Sequence, residues 1–146
     1  MWTEKRSLVL SKCCVVAFMI MLAVAAVLAP RAFRAWVVYM PEQRMVYFRA
    51  TVYIGLVPAV SLLLLLYGLL HRIGVGEVFV SKNTDCLRYI SWCCFAGAAV
   101  SMASAFYWFP WCAIGVAAAF MGLIVRVIKN VVAKAVSLQE EADYTI

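Results

Sequence analysis

Six cysteines and one histidine carry the most reactive side chains of this 146-residue sequence, and their spacing builds no reaction centre. The cysteines are Cys13, Cys14, Cys86, Cys93, Cys94 and Cys112, and none belongs to a Cys-x-x-Cys pair. Neighbours on a helix point about 100° apart, so neither Cys13–Cys14 nor Cys93–Cys94 can hold one metal ion from a single helix. Within apolar runs cysteine acts as a small, polarisable apolar residue. Cys13 or Cys14, just inside a basic flank, is the position suited to S-acylation. His71 has a helix-end carbonyl or solvent as its natural partner. No Ser/His/Asp set, metal-ligand spacing or phosphate-binding glycine loop accompanies it. The expectation is therefore no enzyme, no catalytic residue, no cofactor and no metal.

The elements that position these residues are four apolar runs, at about 13–29, 50–70, 89–105 and 110–125. Each approaches the ~20 residues that a helix needs to cross a ~30 Å hydrocarbon core. No strand alternation competes with them. Hydrophobic residues make up 67% of the chain and charged residues 14%, against about 45–50% and about 25% in soluble domains. A soluble core of this size has too much surface to hide that excess. The polar stretches at 31–49 and 71–88 are too short for a core of their own. The fold class expected is an all-α membrane protein: one domain over 1–146, four transmembrane helices in an antiparallel bundle, and an amphipathic cytoplasmic extension at the C-terminus.

The net charge is +6. Its cations flank the spans, where they set topology and meet lipid head groups, so direct nucleic-acid binding is not expected. With four spans, one side holds nine cations: Lys5, Arg6, Lys12, Arg72, Lys82, Arg88, Arg126, Lys129 and Lys134. The other holds Arg31, Arg34, Arg44 and Arg49. The positive-inside rule then places both termini in the cytoplasm. A signal peptide competes for the first run, since Ala23-Val24-Ala25 has the small-x-small cleavage pattern. The run continues unbroken to Ala29, however, and is read as the first span.

Aromatics at Tyr107-Trp108-Phe109-Pro110-Trp111 form a tight turn at the interface between spans three and four, because indole and phenol rings favour that level. Trp36, Tyr39, Tyr47 and Phe48 suggest the same level in the first outer loop. Its segment from Arg31 to Tyr39 is expected to lie in the interface, broken by Met40-Pro41-Glu42. Gly97 and Ser101 on the third span, with Gly115 and Ala119 on the fourth, have the four-residue spacing that lets helix backbones approach closely. Pro58 predicts a kink in the second span. No ionisable side chain lies mid-span, which counts against a proton- or ion-coupled transporter but leaves a passive pore open.

Two segments beyond the spans carry the remaining signal. In the middle loop, Gly74 and Gly76 end the second span, and Ser81 or Asn83 is suited to cap the next helix. In the tail, Val127, Ile128, Val131, Ala135 and Leu138 form an apolar stripe with Arg126, Lys129, Asn130 and Lys134 beside it. A basic amphipathic helix reads as membrane-surface or partner-binding, or as a continuation of the fourth span. Glu140, Glu141 and Asp143 then reverse the charge. One reading folds this acidic end back toward Arg88 or Lys82. The other leaves it solvated, with Asn83 capping its own helix.

The loop residues Gly76, Phe79, Asn83, Leu87, Arg88 and Ile90 fit a Gly-x-x-Phe-x-x-x-Asn-x-x-x-Leu-Arg-x-Ile pattern. Leu138, Glu140, Glu141, Asp143, Thr145 and Ile146 fit a Leu-x-Glu-Glu-x-Asp-x-Thr-Ile/Val ending. In both, and in its four-span layout, the chain resembles the bacterial family called domain of unknown function 2975; Val78 stands where that family often has proline. The resemblance implies no chemistry. Genes of the family often lie beside small helix-turn-helix regulators, which implies membrane-linked regulation. The expected function is a non-enzymatic regulatory or scaffold component of the bacterial cytoplasmic membrane. Its partners would be the bilayer and a small helix-turn-helix transcription regulator or a second copy of itself. The alternative is a subunit of a small oligomeric channel or transporter. Phe79, Asn83, Leu87, Arg88, Glu140, Glu141 and Asp143 are the candidate interaction residues.

Overall fold

The structure, a computed structural model, describes residues 3–36, 39 and 41–145, with Trp36 described by its backbone alone. It contains four helices: α1 (Glu4–Trp36), α2 (Glu42–Gly74), α3 (Ser81–Ser104) and α4 (Pro110–Thr145). All are long and apolar enough to cross a membrane. The interfacial roles expected of the Trp36 side chain, Val37, Val38 and Met40, and the motif position of Ile146, fall outside the described residues.

Three helices outrun their apolar cores. α1 and α2 have 33 residues each and α4 has 36, and at ~1.5 Å per residue this is about 50 Å. The segment between α1 and α2 is correspondingly short. α1 runs through Pro30 to Trp36, and α2 has already begun at Glu42. The residues expected between the first two spans are thus mostly helical. A proline removes one backbone donor, whereas ending the helix near lipid would leave several groups unpaired. α2 likewise continues through Pro58.

Packing follows chain order. Among the described residues, Cα atoms of different helices approach within 8 Å between α1 and α2, α2 and α3, and α3 and α4 only. The α3–α4 contact is built on small residues. A Cβ at Gly115 would lie 2.8 Å from the Met102 side chain and 3.2 Å from its backbone nitrogen. One at Gly122 would lie 3.0 Å from the Phe95 ring and 3.2 Å from Cys94. The Ser91 hydroxyl, fully buried, donates to the Gly122 carbonyl at 3.2 Å. Ala98 and Ser101 are also buried. Ala119 is half-buried, and Gly97 has nothing within 4 Å of a built Cβ. The close approach therefore centres on Gly115 and Gly122, and Gly97 has no part in it.

Two apolar cores lie at opposite ends. Leu69, Cys86, Leu87 and Ile90 form one, with Leu66, Ile73, Val125 and Val132 packed on it. Ala29, Phe33 and Met45 form the other, beside Phe48 and Val52.

Candidate functional site

The α2–α3 junction is built by a short turn and one buried side chain. α2 ends at Gly74, and the Val75 N–H donates back to the His71 and Arg72 carbonyls. Gly76 takes φ +96°, a left-handed conformation that a Cβ disfavours. The Glu77 N–H then returns to the Arg72 carbonyl at 3.0 Å, drawing the loop onto the helix end.

Asn83 locks this geometry. It is 2% exposed. Its Nδ2 donates to the Glu77 carbonyl at 2.7 Å and to the Val78 carbonyl at 2.8 Å. Its Oδ1 accepts from Arg72 Nε at 2.8 Å. One amide thus ties the end of α2, the loop and the start of α3 together. The sequence suggested capping by Ser81 or Asn83. Instead Val80 occupies the cap position without a side-chain bond, and the Asn83 amide is turned toward the loop carbonyls. Both bonds are part-buried, and each contributes about 0.5–1.5 kcal/mol.

The neighbouring residues divide by exposure. Leu87 is buried in the apolar core beside Cys86, whose Sγ lies 3.2 Å from the Leu65 carbonyl. Phe79 is half-exposed. Arg88 is exposed, pairs with Asp85 at 3.4 Å within its own helix, and lies 5.7 Å from the Tyr89 ring. Glu140, Glu141 and Asp143 are exposed on α4. Their fold-back onto Arg88 or Lys82 is not formed. α4 stays helical through Thr145, and among the described residues the Arg88–Asp85 pair is the one ion pair within 4.0 Å. A continuous helix cannot reverse toward α3 without giving up backbone bonds, and a surface ion pair contributes only ~0–1 kcal/mol in return.

The opposite end holds a second polar group that sequence reasoning missed. Thr51 and Ser104 hydroxyls lie 2.8 Å apart, and Tyr107 Oη donates to Thr51. Thr51 and Ser104 also reach the Tyr47 and Val100 carbonyls, at 3.0 and 2.8 Å. Tyr47 and Tyr107 stack, while Phe48 meets both Trp108 and Trp111 at 5.6 Å. Beside this group an open groove of about 530 Å³ is lined by Thr51, Ile54, Val100 and Ser104. The available signal was three hydroxyls within or beside apolar runs, where an unpaired O–H is costly.

At the two ends Asn83, Thr51, Ser104 and Tyr107 hold helices and the loop together, while Thr84 Oγ1 and Trp111 Nε1 are buried without a hydrogen-bond partner. Among the described residues no three His, Cys, Asp or Glu side chains group around a metal position. Phe79, Arg88 and the end of α4 are exposed.

A family model described as protein of unknown function (DUF2975) matches residues 35–146, and the chain belongs to that family. All of α1 except its last two residues lies outside the match. No curated protein and no solved structure matches the chain.

Proposed function

With that family as premise, we propose that the chain is a non-enzymatic regulatory or scaffold component of a bacterial cytoplasmic membrane. Its four spans run antiparallel, and both termini and the α2–α3 loop face the cytoplasm. The packing of Met102 on Gly115 and of Phe95 on Gly122, in opposite chain order, supports the antiparallel arrangement. The distribution of cations, nine against four, supports the orientation.

The observation that carries the reading is the Asn83 lock. A loop tied by three hydrogen bonds is held in one shape, and it leaves Phe79 exposed. Pre-ordering reduces the entropic cost of binding, and exposed aromatic and arginine side chains are suited to anchor a partner. The partner proposed is a small helix-turn-helix transcription regulator, held at the membrane without contact between this chain and nucleic acid. The test is affinity recovery from native membranes with the full chain and with Phe79→Ser. A soluble regulator recovered with the first and lost with the second is expected. Solute flux through liposomes of the purified chain, with no regulator recovered, would replace this reading with a channel.

A further inference from the structure

We infer that α4 is a parallel dimerisation helix, pairing with α4 of a second copy along a seam that runs from the lipid into water. The inference goes beyond the proposed function and holds equally for a scaffold or a channel subunit.

The seam is defined by spacing and exposure together. Phe120, Ile124, Val127, Val131, Lys134 and Leu138 follow one another in steps of four, three, four, three and four residues, and all are exposed. This is the repeat of a two-stranded coiled coil rather than of an isolated helix. The opposite face of α4 is already occupied, since Gly115 and Gly122 meet α3 and Val125 and Val132 pack on the buried cluster. α4 therefore has two contact faces and one visible partner.

Lipid explains only the first part of the exposed seam. Residues 110–125 carry no charge, and Arg126 begins a run of cations. The Arg126 guanidinium sits 5.6 Å from the Trp92 ring and 5.7 Å from the Phe95 ring, a pairing suited to the interface. α4 continues to Thr145, so Val131 and Leu138 stand beyond the ~20 residues that a span needs, with Val127 at its edge. There, apolar surface favours cover. They line an open groove with Asn130, Lys134 and Ala135.

Charge and depth select the occupant. The positions flanking the seam are Ile128, Asn130, Ala135, Ser137 and Ala142, none charged, so a like helix meets no repelling rim. Lys134 and Glu141 extend the same repeat with opposite signs. In a parallel pair each meets its own counterpart, which sets register and pairing number at some cost in stability. A second copy in the same membrane presents an identical helix, parallel and at the same depth, so both the lipid-facing and the aqueous halves of the seam match at once.

Oxidative cross-linking in native membranes tests this, using full-length chains in which the exposed Cys13 and Cys14 are replaced by serine. One cysteine added at Val127, Val131 or Leu138 is compared with one added at Lys129 or Glu140, and the chain with no added cysteine, which keeps Cys86, Cys93, Cys94 and Cys112, is the blank. Dimer yields roughly tenfold higher in the first set are expected, since a tenfold ratio requires only about 1.4 kcal/mol of preference. Independently, the unmodified chain in nanodiscs should count two subunits per particle, reduced to one by Val131→Asp. Equal yields in the two sets, cross-links to a protein of a different mass, or single subunits of the unmodified chain would each overturn the inference.

Discussion

α1 and α3 differ in a way that reverses the usual meaning of hydrophobicity. The most apolar stretch of α1 has a mean hydropathy of 2.7 and is 6% buried, whereas that of α3 has 1.3 and is 39% buried. In water the more apolar helix would be the inner one. In lipid, apolar side chains gain nothing by leaving the surface, and helices associate through close packing and hydrogen bonds. α3 accordingly buries Asn83, Ser91, Ser101 and Ser104 against its neighbours. α1 approaches α2 alone, and nearly all of it lies outside the family match. The expectation is that α2, α3 and α4 hold together as a unit, with α1 laid against it at Ala29 and Phe33.

Substitutions can break or sharpen that contrast. The largest effect is expected at Asn83. Asn83→Ala removes the bond from Arg72 and frees the Glu77 and Val78 carbonyls, and should cost about 3 kcal/mol, read as a lowered midpoint in denaturant titration of the detergent-solubilised chain. Gly115→Leu comes next. Its side chain must displace Met102, and overpacking costs ~1–3 kcal/mol. Gly97→Leu, with open space around it, should leave the melting temperature nearly unchanged; equal losses at the two glycines would erase the distinction between packed and open faces. Ser91→Ala deletes one buried interhelical bond and should cost about 1 kcal/mol in the same titration. The smallest effect is expected on α1. Ile20, 60% exposed, should tolerate alanine within ~0.5 kcal/mol, as measured by the same midpoint.

Much of this architecture is legible in residue order, and the illegible parts have physical causes. The four apolar runs mark the four helices, because lipid requires about 20 apolar residues per crossing. Helix ends are not marked, since outside lipid the backbone can continue through charged residues, as α4 does from Arg126 to Thr145. Gly74 and Gly76 mark the end of α2 because the turn requires a positive φ at Gly76. Asn83 stands out in the sequence, but its role does not, since its acceptors are carbonyls placed only once the loop has closed. The Thr51–Ser104–Tyr107 group joins positions more than fifty residues apart, and local spacing carries no trace of it. Gly97 shows the converse. Four-residue spacing to Ser101 suggests a packing face, yet the helix is rotated so that Ala98 and Ser101 are buried in its place.

The claim that α2, α3 and α4 stand together without α1 is tested most directly by cutting the folded chain between α1 and α2. A protease site inserted at Tyr39, which is 85% exposed, allows cleavage after folding in detergent. The account expects α1 to separate on size-exclusion chromatography while the remaining fragment keeps a cooperative unfolding midpoint close to that of the uncut chain. An α1 that stays bound, together with loss of the cooperative transition once it is stripped away, would contradict it.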